Sequence, residues 1–200
     1  MGVRASGGCP VENGGLRRPV PEISRLRDGA ARTLAVNGAA VTMGSQVMAN
    51  LFCTGVQVGK RGVPFSVGLD LLLDAQGGEW TRVGLDLDSG ALFVDQSHTN
   101  AHDSSLSNVV QRTAPLQSVA GAAETTLNLT VLVDGGLMET YANGRVAISS
   151  LLSPSASGTS GAEARQARAF TTGAGPMCVA QAWRLRAVPS LKTEDVDALR

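Results

Sequence analysis

The sequence predicts an all-β fold, a two-layer antiparallel β-sandwich of the jelly-roll or lectin-like type. Two observations predict it. Short runs of alternating apolar and polar residues recur along the chain, and this period of two is typical of a half-buried antiparallel strand. Gly, Asn and Asp separate the runs at intervals of about ten residues, as in sandwiches and barrels. Hydrophobic residues make up 43% of the 200 residues, which is enough for a core.

The charge balance argues against two classes of partner. Seventeen basic residues cancel seventeen acidic ones, whereas a nucleic-acid-binding protein needs a net basic face. Only Lys60 and Lys192 are lysines, and no run of 18 apolar residues occurs. We therefore expect neither a nucleic acid nor a membrane as a partner. The opening residues have no apolar stretch of a secretory signal, and the compartment stays open.

The N-terminal segment differs from the rest. Residues 1–30 are rich in Gly, Pro and Arg and are predicted to form an extended connector. Pro19 and Pro21 disfavour an α-helix around them, although residues 22–27 have room for one turn. The predicted sandwich follows over residues 31–187, and residues 188–200 form a C-terminal tail.

The first strands of the sandwich are predicted from residue 65 onward. Residues 65–73 alternate and end before a turn at Gly77-Gly78, and residues 80–87 alternate again. Asp88-Ser89-Gly90 is a second turn, because Asp and Gly tolerate the backbone angles that turns require. Residues 91–95 return as the next strand.

The clearest local pattern predicts a three-stranded meander. Residues 127–133 and 137–142 alternate on either side of a tight turn at Asp134-Gly135-Gly136. Asn143-Gly144 is the strongest two-residue hairpin signal, because both central positions of a type I′ turn need a positive φ. Residues 145–151 complete the meander.

The last part of the chain holds one clear strand. Residues 153–175 are rich in Ser, Gly, Ala and Thr and are predicted to be mostly loop with one irregular strand. Residues 177–185 alternate and are predicted to be the last strand. Phe65, Phe93 and Trp183 occupy apolar registers, and we expect all three in the core.

The cysteines give a weak signal. Cys9, Cys53 and Cys178 are an odd set with wide gaps and no Cys-x-x-Cys pair, so they predict neither a zinc site nor a disulfide framework. We expect buried or idle thiols. The triplet Asn128-Leu129-Thr130 is an N-glycosylation sequon, which matters only if the protein is secreted.

The candidate catalytic and metal groups have simpler explanations. His98 and His102 are four residues apart, but the segment lacks helical periodicity, so a solvated loop is favoured over a metal site. Asp103 and Ser104 follow His102 directly, and adjacent residues cannot easily form a nucleophile–base–orienter triad. No catalytic, cofactor-binding or metal-binding residue is assigned, and no cofactor is expected.

Paired carboxylates are a further type of candidate catalytic group, because glycosidases need two of them about 5–10 Å apart. Asp86 and Asp88 flank a turn, where turn hydrogen bonds explain them; Asp95 and Asp134 sit at strand ends, and Glu139 is expected to face solvent.

Two of the aromatic residues are candidates for sugar binding. Sugar-binding modules expose an aromatic platform, and Trp80 and Tyr141 are the candidate members here.

Four segments in order resemble the C-terminal β-sandwich of glycoside hydrolase family 32, the invertase and fructan-hydrolase family. They are LRRPVPEISRLR from residue 16, RVGLDLDSGALFVDQS from residue 82, LNLTVLVDGGLMETYANGRVAISS from residue 127, and the strand around Trp183. Asp134, Glu139, Asn143 and Gly144 match the family pattern. The departures are Gln96 for Arg, Gly136 for Ser and Tyr141 for Phe.

The resemblance covers residues 16–187 and implies an accessory role in which this chain supplies no catalytic residue. The family's catalytic acids lie upstream in a five-bladed propeller, in Asn-Asp-Pro-Asn, Arg-Asp-Pro and Glu-Cys segments, and none of these occurs here. Arg27-Asp28, for example, is followed by Gly29. The resemblance therefore implies the accessory domain of a β-fructofuranosidase-like enzyme, a fragment whose partner is the propeller, and whether the chain alone is an enzyme stays open.

Two other functions remain open at this stage. One is a stand-alone carbohydrate-binding module for a fructoside or fructan, and the other is an active glycosidase. A domain face left uncovered by the propeller predicts self-association, so a homo-oligomer also remains open. The sequence does not fix the preferred fructoside, the origin of the fragment, the compartment, or glycosylation at Asn128.

Overall fold

The computed structural model describes residues 18–58, 65–100, 110–115, 126–155, 164–172 and 176–186. Within these ranges the chain forms one short 3₁₀ helix, Pro21–Leu26, and twelve strands in two antiparallel sheets. The all-β sandwich predicted from the sequence is confirmed. In the described part of the chain, no helix has the length and apolar character needed to cross a bilayer.

Sheet A has the strand order β1-β12-β3-β8-β9-β10. Its strands are β1 (Arg27–Leu34), β3 (Gln46–Thr54), β8 (Thr126–Asp134), β9 (Leu137–Ala142), β10 (Val146–Leu151) and β12 (Met177–Leu185). Sheet B has the order β2-β11-β4-β5-β6-β7. Its strands are β2 (Val41–Thr42), β4 (Ser66–Leu73), β5 (Trp80–Asp86), β6 (Ala91–His98), β7 (Val110–Pro115) and β11 (Gln166–Thr171).

The core lies between the two sheets and is built from alternate positions of each strand. In β8, four apolar side chains are fully buried while the residues between them turn outward, as the alternation predicts. These four are Leu127, Leu129, Val131 and Val133. Leu69 and Leu71 of β4 and Val83 and Leu85 of β5 face them from sheet B within one hydrophobic cluster. The predicted strands at 65–73, 80–87 and 91–95 correspond to β4, β5 and β6.

The meander of β8, β9 and β10 is confirmed, and Asn143 has two roles in it. Asn143 and Gly144 have φ of 50° and 65°, as a type I′ turn requires, and the Arg145 amide donates to the Ala142 carbonyl at 3.0 Å. The Asn143 side chain also accepts from the Asn128 amide at 2.6 Å and donates to the Thr126 carbonyl at 3.0 Å. One side chain therefore closes the hairpin and ties it to β8.

The expectation of buried or idle thiols is wrong for Cys53 and Cys178, and Cys9 lies outside the described residues. Cys53 and Cys178 are joined by a disulfide across 125 residues of sequence. They are direct cross-strand partners in β3 and β12, and Cys53 is fully buried. The wide spacing concealed the pairing, because only the strand order of sheet A places these two residues side by side.

The expectation that Trp183 lies in the core is also wrong. In β12 the small residues Ala180 and Ala182 are buried, whereas Met177 and Val179 are 80% and 67% exposed. Trp183 is in the exposed register and is only half-buried. Both faces of β12 carry apolar residues, so alternation alone does not choose between them, and the structure buries the face with Ala180 and Ala182.

A 3₁₀ helix precedes the first strand, and a strand lies within the segment that is rich in Ser, Gly, Ala and Thr. The turn expected at residues 22–27 is the 3₁₀ helix Pro21–Leu26, and β1 begins at Arg27. Strand β11 lies inside the segment predicted to be mostly loop and pairs with β4. The division into a 1–30 connector, a 31–187 sandwich and a 188–200 tail stays a prediction. Residues 1–17 and 187–200, with the expected tail, lie outside the described residues.

Candidate functional site: the outer face of sheet A

The outer face of sheet A is a surface of mixed polar and apolar character, on which Met48 and Leu132 are covered by neighbouring side chains. Because β12, β3, β8 and β9 pair in register, their outward side chains form cross-strand rows. One row contains Trp183, Met48, Leu132 and Glu139. A second row joins Val179 to Phe52 and Asn128. These rows place aromatic and aliphatic groups on a side of the sheet that does not face the core.

The connector attaches to this face through Arg27. The Arg27 guanidinium lies 3.9 Å from the centroid of the Trp183 ring, and its Nε donates to the Met48 sulfur at 3.3 Å. A cation over an indole ring is attracted by the negative face of the ring. Trp183 therefore anchors the end of the connector instead of filling the core.

A groove of about 320 Å³ lies between the connector and the sheet. Its apolar lining residues are Ile23, Leu26, Leu132, Val133, Leu137 and Leu185, and its polar ones are Gln46, Asp134, Glu139 and Arg186. We call this feature the connector groove. Leu137 is 42% exposed, and its cross-strand partner Leu151 is 81% exposed. The groove is therefore bordered by large apolar side chains that remain in contact with water.

Two carboxylates line the connector groove, but both are engaged by neighbours. Asp134 accepts a hydrogen bond from the Gln46 amide at 2.7 Å, and Glu139 accepts one from the Tyr141 hydroxyl at 2.7 Å. Both acids lie on the same outer face of adjacent strands. A glycosidase pair must flank the scissile bond, so two acids on one wall do not provide that arrangement.

Asp86 has the turn role that the sequence predicts, whereas Asp95 does not. The Asp86 carboxylate accepts from the backbone amides of Asp88 at 3.0 Å and Ser89 at 3.4 Å, and Asp88 itself is exposed. The expectation that Asp95 sits at a strand end is wrong: it lies inside β6, where its carboxylate accepts from the Ser97 amide at 2.9 Å.

Tyr141 is the group in this region whose titration is clearly perturbed. Partial burial raises the pKa of Tyr141 to about 12, and the hydrogen bond to the Glu139 carboxylate adds to the rise. The phenol therefore stays protonated at neutral pH and donates to Glu139.

The two candidate sugar-platform residues are not neighbours. Tyr141 is in sheet A and Trp80 is in sheet B. The Trp80 ring stacks on His98 with centroids 4.4 Å apart, and the Arg82 guanidinium is 4.8 Å from its centroid. The structure therefore does not bring them together into one platform.

His98 is one of the two histidines that the sequence offers as candidate metal ligands. Its ring stacks on Trp80, and no cluster of three or more metal-ligating side chains occurs among the residues whose placement is described. His102, Asp103 and Ser104 lie outside those residues.

Sequence reasoning missed a charge ladder on the outer face of sheet B. Four cross-strand neighbours alternate in sign in the order Arg168, Asp70, Arg82 and Asp95. Asp70 is fully buried, and it accepts from Arg82 Nε at 2.6 Å and from Arg168 Nε at 2.9 Å. The hydrogen bond that Arg82 donates to Asp70 raises the pKa of the Arg82 guanidinium above its ordinary value. Asp70 falls at an outward position of an alternating strand, so nothing in the sequence marks it as buried.

Comparison with protein families gives one match over most of the chain. The family described as "Glycosyl hydrolases family 32 C terminal" matches residues 27–184. The match begins at the first residue of β1 and ends one residue before the end of β12. No curated protein matches the chain.

Solved structures of fructoside-processing enzymes share this fold. Exo-inulinase from Aspergillus awamori is 19% identical with a TM-score of 0.62, over 82% of this chain and 31% of that one. Fructan 1-exohydrolase IIa from Cichorium intybus is 17% identical with a TM-score of 0.58, over 86% and 38%. Sucrose-6-phosphate hydrolase from Lactobacillus gasseri is 13% identical with a TM-score of 0.56, over 84% and 30%.

At these identities the likeness shows the fold alone. The chain spans about a third of the length of each of these three structures, between 30% and 38%.

Proposed function

We propose, from the premise that this chain belongs to the family of glycosyl hydrolase family 32 C-terminal domains, that it is the accessory β-sandwich of a fructoside-hydrolysing enzyme. Its role is to pack on a catalytic domain and stabilise it. The catalytic acids in this proposal belong to that partner, which the family resemblance gives as a five-bladed propeller. The sandwich itself contributes no acid or nucleophile.

The connector groove is the observation that carries this proposal. Six of its lining residues are apolar, and Leu137 and Leu151 at its border are 42% and 81% exposed. A large exposed apolar patch on a globular domain marks an interaction site. Domain interfaces within a chain bury roughly 600–1,500 Å², and a groove with two flanking leucines is a suitable centre for one.

The connector explains why the partner is expected on this face. Ile23 and Leu26 form one wall of the groove, and Arg27 fixes the connector to Trp183. A domain joined to the N-terminal end of this segment is held close to the outer face of sheet A. Its high effective concentration there favours docking even when the interface is modest in size.

A binding assay with matched variants tests the docking surface. The chain is mixed with a separately produced family 32 catalytic domain from the same genome, and association is measured by calorimetry. Leu137→Arg is expected to weaken association at least tenfold, because it introduces a charge into the apolar border of the groove. Val110→Arg is the control, since Val110 is 46% exposed on the opposite sheet.

Equal effects of the two substitutions would place the interface elsewhere. A separate assay addresses catalysis: the purified chain is incubated with sucrose and with inulin, and free fructose is measured. We expect none to be released. Hydrolysis by the chain alone would contradict the accessory role.

A second candidate function has one observation in its favour. A recess of about 240 Å³ on sheet A is lined by Arg18, Asn128, Thr130, Tyr141 and Asn143, a polar set that suits sugar hydroxyls. However, the Asn143 amide and the Tyr141 hydroxyl already bind neighbours. Calorimetric binding of a fructan that is lost in Tyr141→Ala would favour a carbohydrate-binding module.

A further inference from the structure

The sequon Asn128-Leu129-Thr130 lies in the middle of β8 with its two functional residues on the outer face. Strand alternation produces this arrangement: Leu129 is fully buried, while Asn128 is exposed and Thr130 is half-buried. It is the single Asn-x-Ser/Thr triplet in the chain. The side-chain amide of Asn128 and the hydroxyl of Thr130 are therefore both on the outer side of the sheet, where there is room for a large group.

The side chain of Asn128 is not used by the fold. Its backbone amide donates to Asn143 at 2.6 Å, but within the described residues its side-chain amide makes no hydrogen bond. It faces the recess formed with Thr130 and Tyr141. Asn143 shows the contrast, because its side chain carries two hydrogen bonds that hold the hairpin.

The disulfide supplies an independent observation about the compartment. Joining Cys53 to Cys178 removes two electrons and two protons from the thiols, and these pass to an oxidant outside the chain. Such bonds form and persist in the secretory pathway and outside cells and are rare in the cytosol. The compartment that oxidises this pair in eukaryotes is also the one in which sequons are glycosylated.

We propose that Asn128 carries an N-linked glycan. The co-substrate is an oligosaccharide linked to a polyprenyl diphosphate. The Asn128 amide nitrogen forms a bond to the anomeric carbon, the bond from that carbon to the diphosphate oxygen breaks, and the amide loses one proton. The polyprenyl diphosphate leaves with the electron pair, and no oxidation is involved.

The glycan accounts for an apolar patch that the docking proposal leaves uncovered. Phe52 is the direct cross-strand partner of Asn128, and Val179 is the partner of Phe52; they are 45% and 67% exposed. The first sugars of the glycan cover these side chains. Asp134, at the connector groove, is six residues further along β8, a distance of about 20 Å, so the glycan lies beside Arg18 and Pro19 and away from that groove.

Expression in a eukaryotic secretory host tests the proposal. The 200-residue chain is produced behind a cleavable secretion signal, and the total translocated material is treated with peptide N-glycosidase. We expect a mobility shift on treatment, and conversion of Asn128 to aspartate in the peptide mass spectrum. Asn128→Gln and Thr130→Ala abolish the shift completely, whereas Thr130→Ser, the matched control, retains it.

Two results would overturn the proposal. The first is unmodified Asn128 in translocated chain whose Cys53–Cys178 disulfide has formed. The second is a mobility shift that survives Thr130→Ala. A further measurement reports on the apolar patch formed by Phe52 and Val179. Removal of the glycan from the folded chain is expected to increase binding of a hydrophobic dye severalfold. Phe52→Ser in the deglycosylated chain abolishes most of that increase.

Discussion

Arg165 and Glu79 form an ion pair at one end of the sandwich with almost no access to solvent. Their Nη1 and Oε2 atoms are 2.7 Å apart, and the two side chains are 9% and 4% exposed. Arg165 also donates to the carbonyls of Leu72 at 3.1 Å and Ser155 at 2.7 Å. One guanidinium thus joins the end of β4, the residue before β5 and the segment that follows β10.

We expect Arg165→Met to lower the free energy of unfolding by about 3–5 kcal/mol, because it removes the guanidinium that pairs with the buried Glu79 carboxylate. Equilibrium unfolding in urea, followed by tryptophan fluorescence, measures the loss. Arg186→Met is the control, since its guanidinium bonds the Arg25 carbonyl at an exposed site. The double variant Arg165→Met with Glu79→Gln should lose less than the sum of the two single changes; strict additivity would show that the pair is not coupled.

The disulfide is expected to contribute substantially to stability. Because it closes a loop of 125 residues, replacing both Cys53 and Cys178 with Ala should cost about 2–5 kcal/mol. Urea unfolding with and without the substitutions measures the difference.

Burial adds a second test of the same bond. Cys53 is fully buried and Cys178 is partly buried, so a thiol reductant should open the bond much more slowly in native buffer than in denaturant. Titration of the folded chain with a thiol reagent therefore labels neither Cys53 nor Cys178. Three reactive thiols in the native chain would show that the bond is absent.

The parts of the fold that were predictable are those that local patterns specify. Alternation in β8, with a turn signal at Asn143-Gly144, identified the meander because each residue's preference agrees with its final environment. The same reasoning placed the Asp86 carboxylate in a turn.

The parts that were not predictable depend on which strands become neighbours. Asp70 is buried because β5 and β11 bring one arginine each to its carboxylate. The Cys53–Cys178 bond likewise depends on the adjacency of β3 and β12, strands far apart in sequence. Trp183 was misplaced because both faces of β12 are apolar, and alternation gives no preference between two apolar faces.

Two glycines in the middle of sheet B should resist substitution. Gly68 and Gly84 are paired, and a Cβ on Gly84 would meet the Val67 carbonyl oxygen. We expect Gly84→Ala to destabilise the chain by about 1–3 kcal/mol, since backbone must move to admit the methyl group. Gly78→Ala is the control: its nearest neighbour is an Asp74 oxygen at 3.6 Å, so its effect should stay within about 0.5 kcal/mol. Similar unfolding midpoints for both variants would contradict the close approach of β4 and β5.

Tyr141 gives a direct measurement of the environment on the outer face of sheet A, because it is the single tyrosine in the chain. In the folded chain its pKa is raised from 10.0 to about 12, first by burial and then by Glu139. A raised pKa means that the folded state holds the proton more tightly. This contribution to stability is fully present below pH 10 and is lost as the pH rises through about 12.

Ultraviolet absorption of the phenolate measures this titration, with circular dichroism at each pH to confirm that the chain is folded. Glu139→Gln should lower the pKa of Tyr141 because the carboxylate no longer repels the phenolate. The pKa should remain above 10.0, since burial is the larger cause and is unchanged by the substitution. A folded chain that titrates at the ordinary tyrosine value would show that the Tyr141 hydroxyl faces open solvent and does not donate to Glu139.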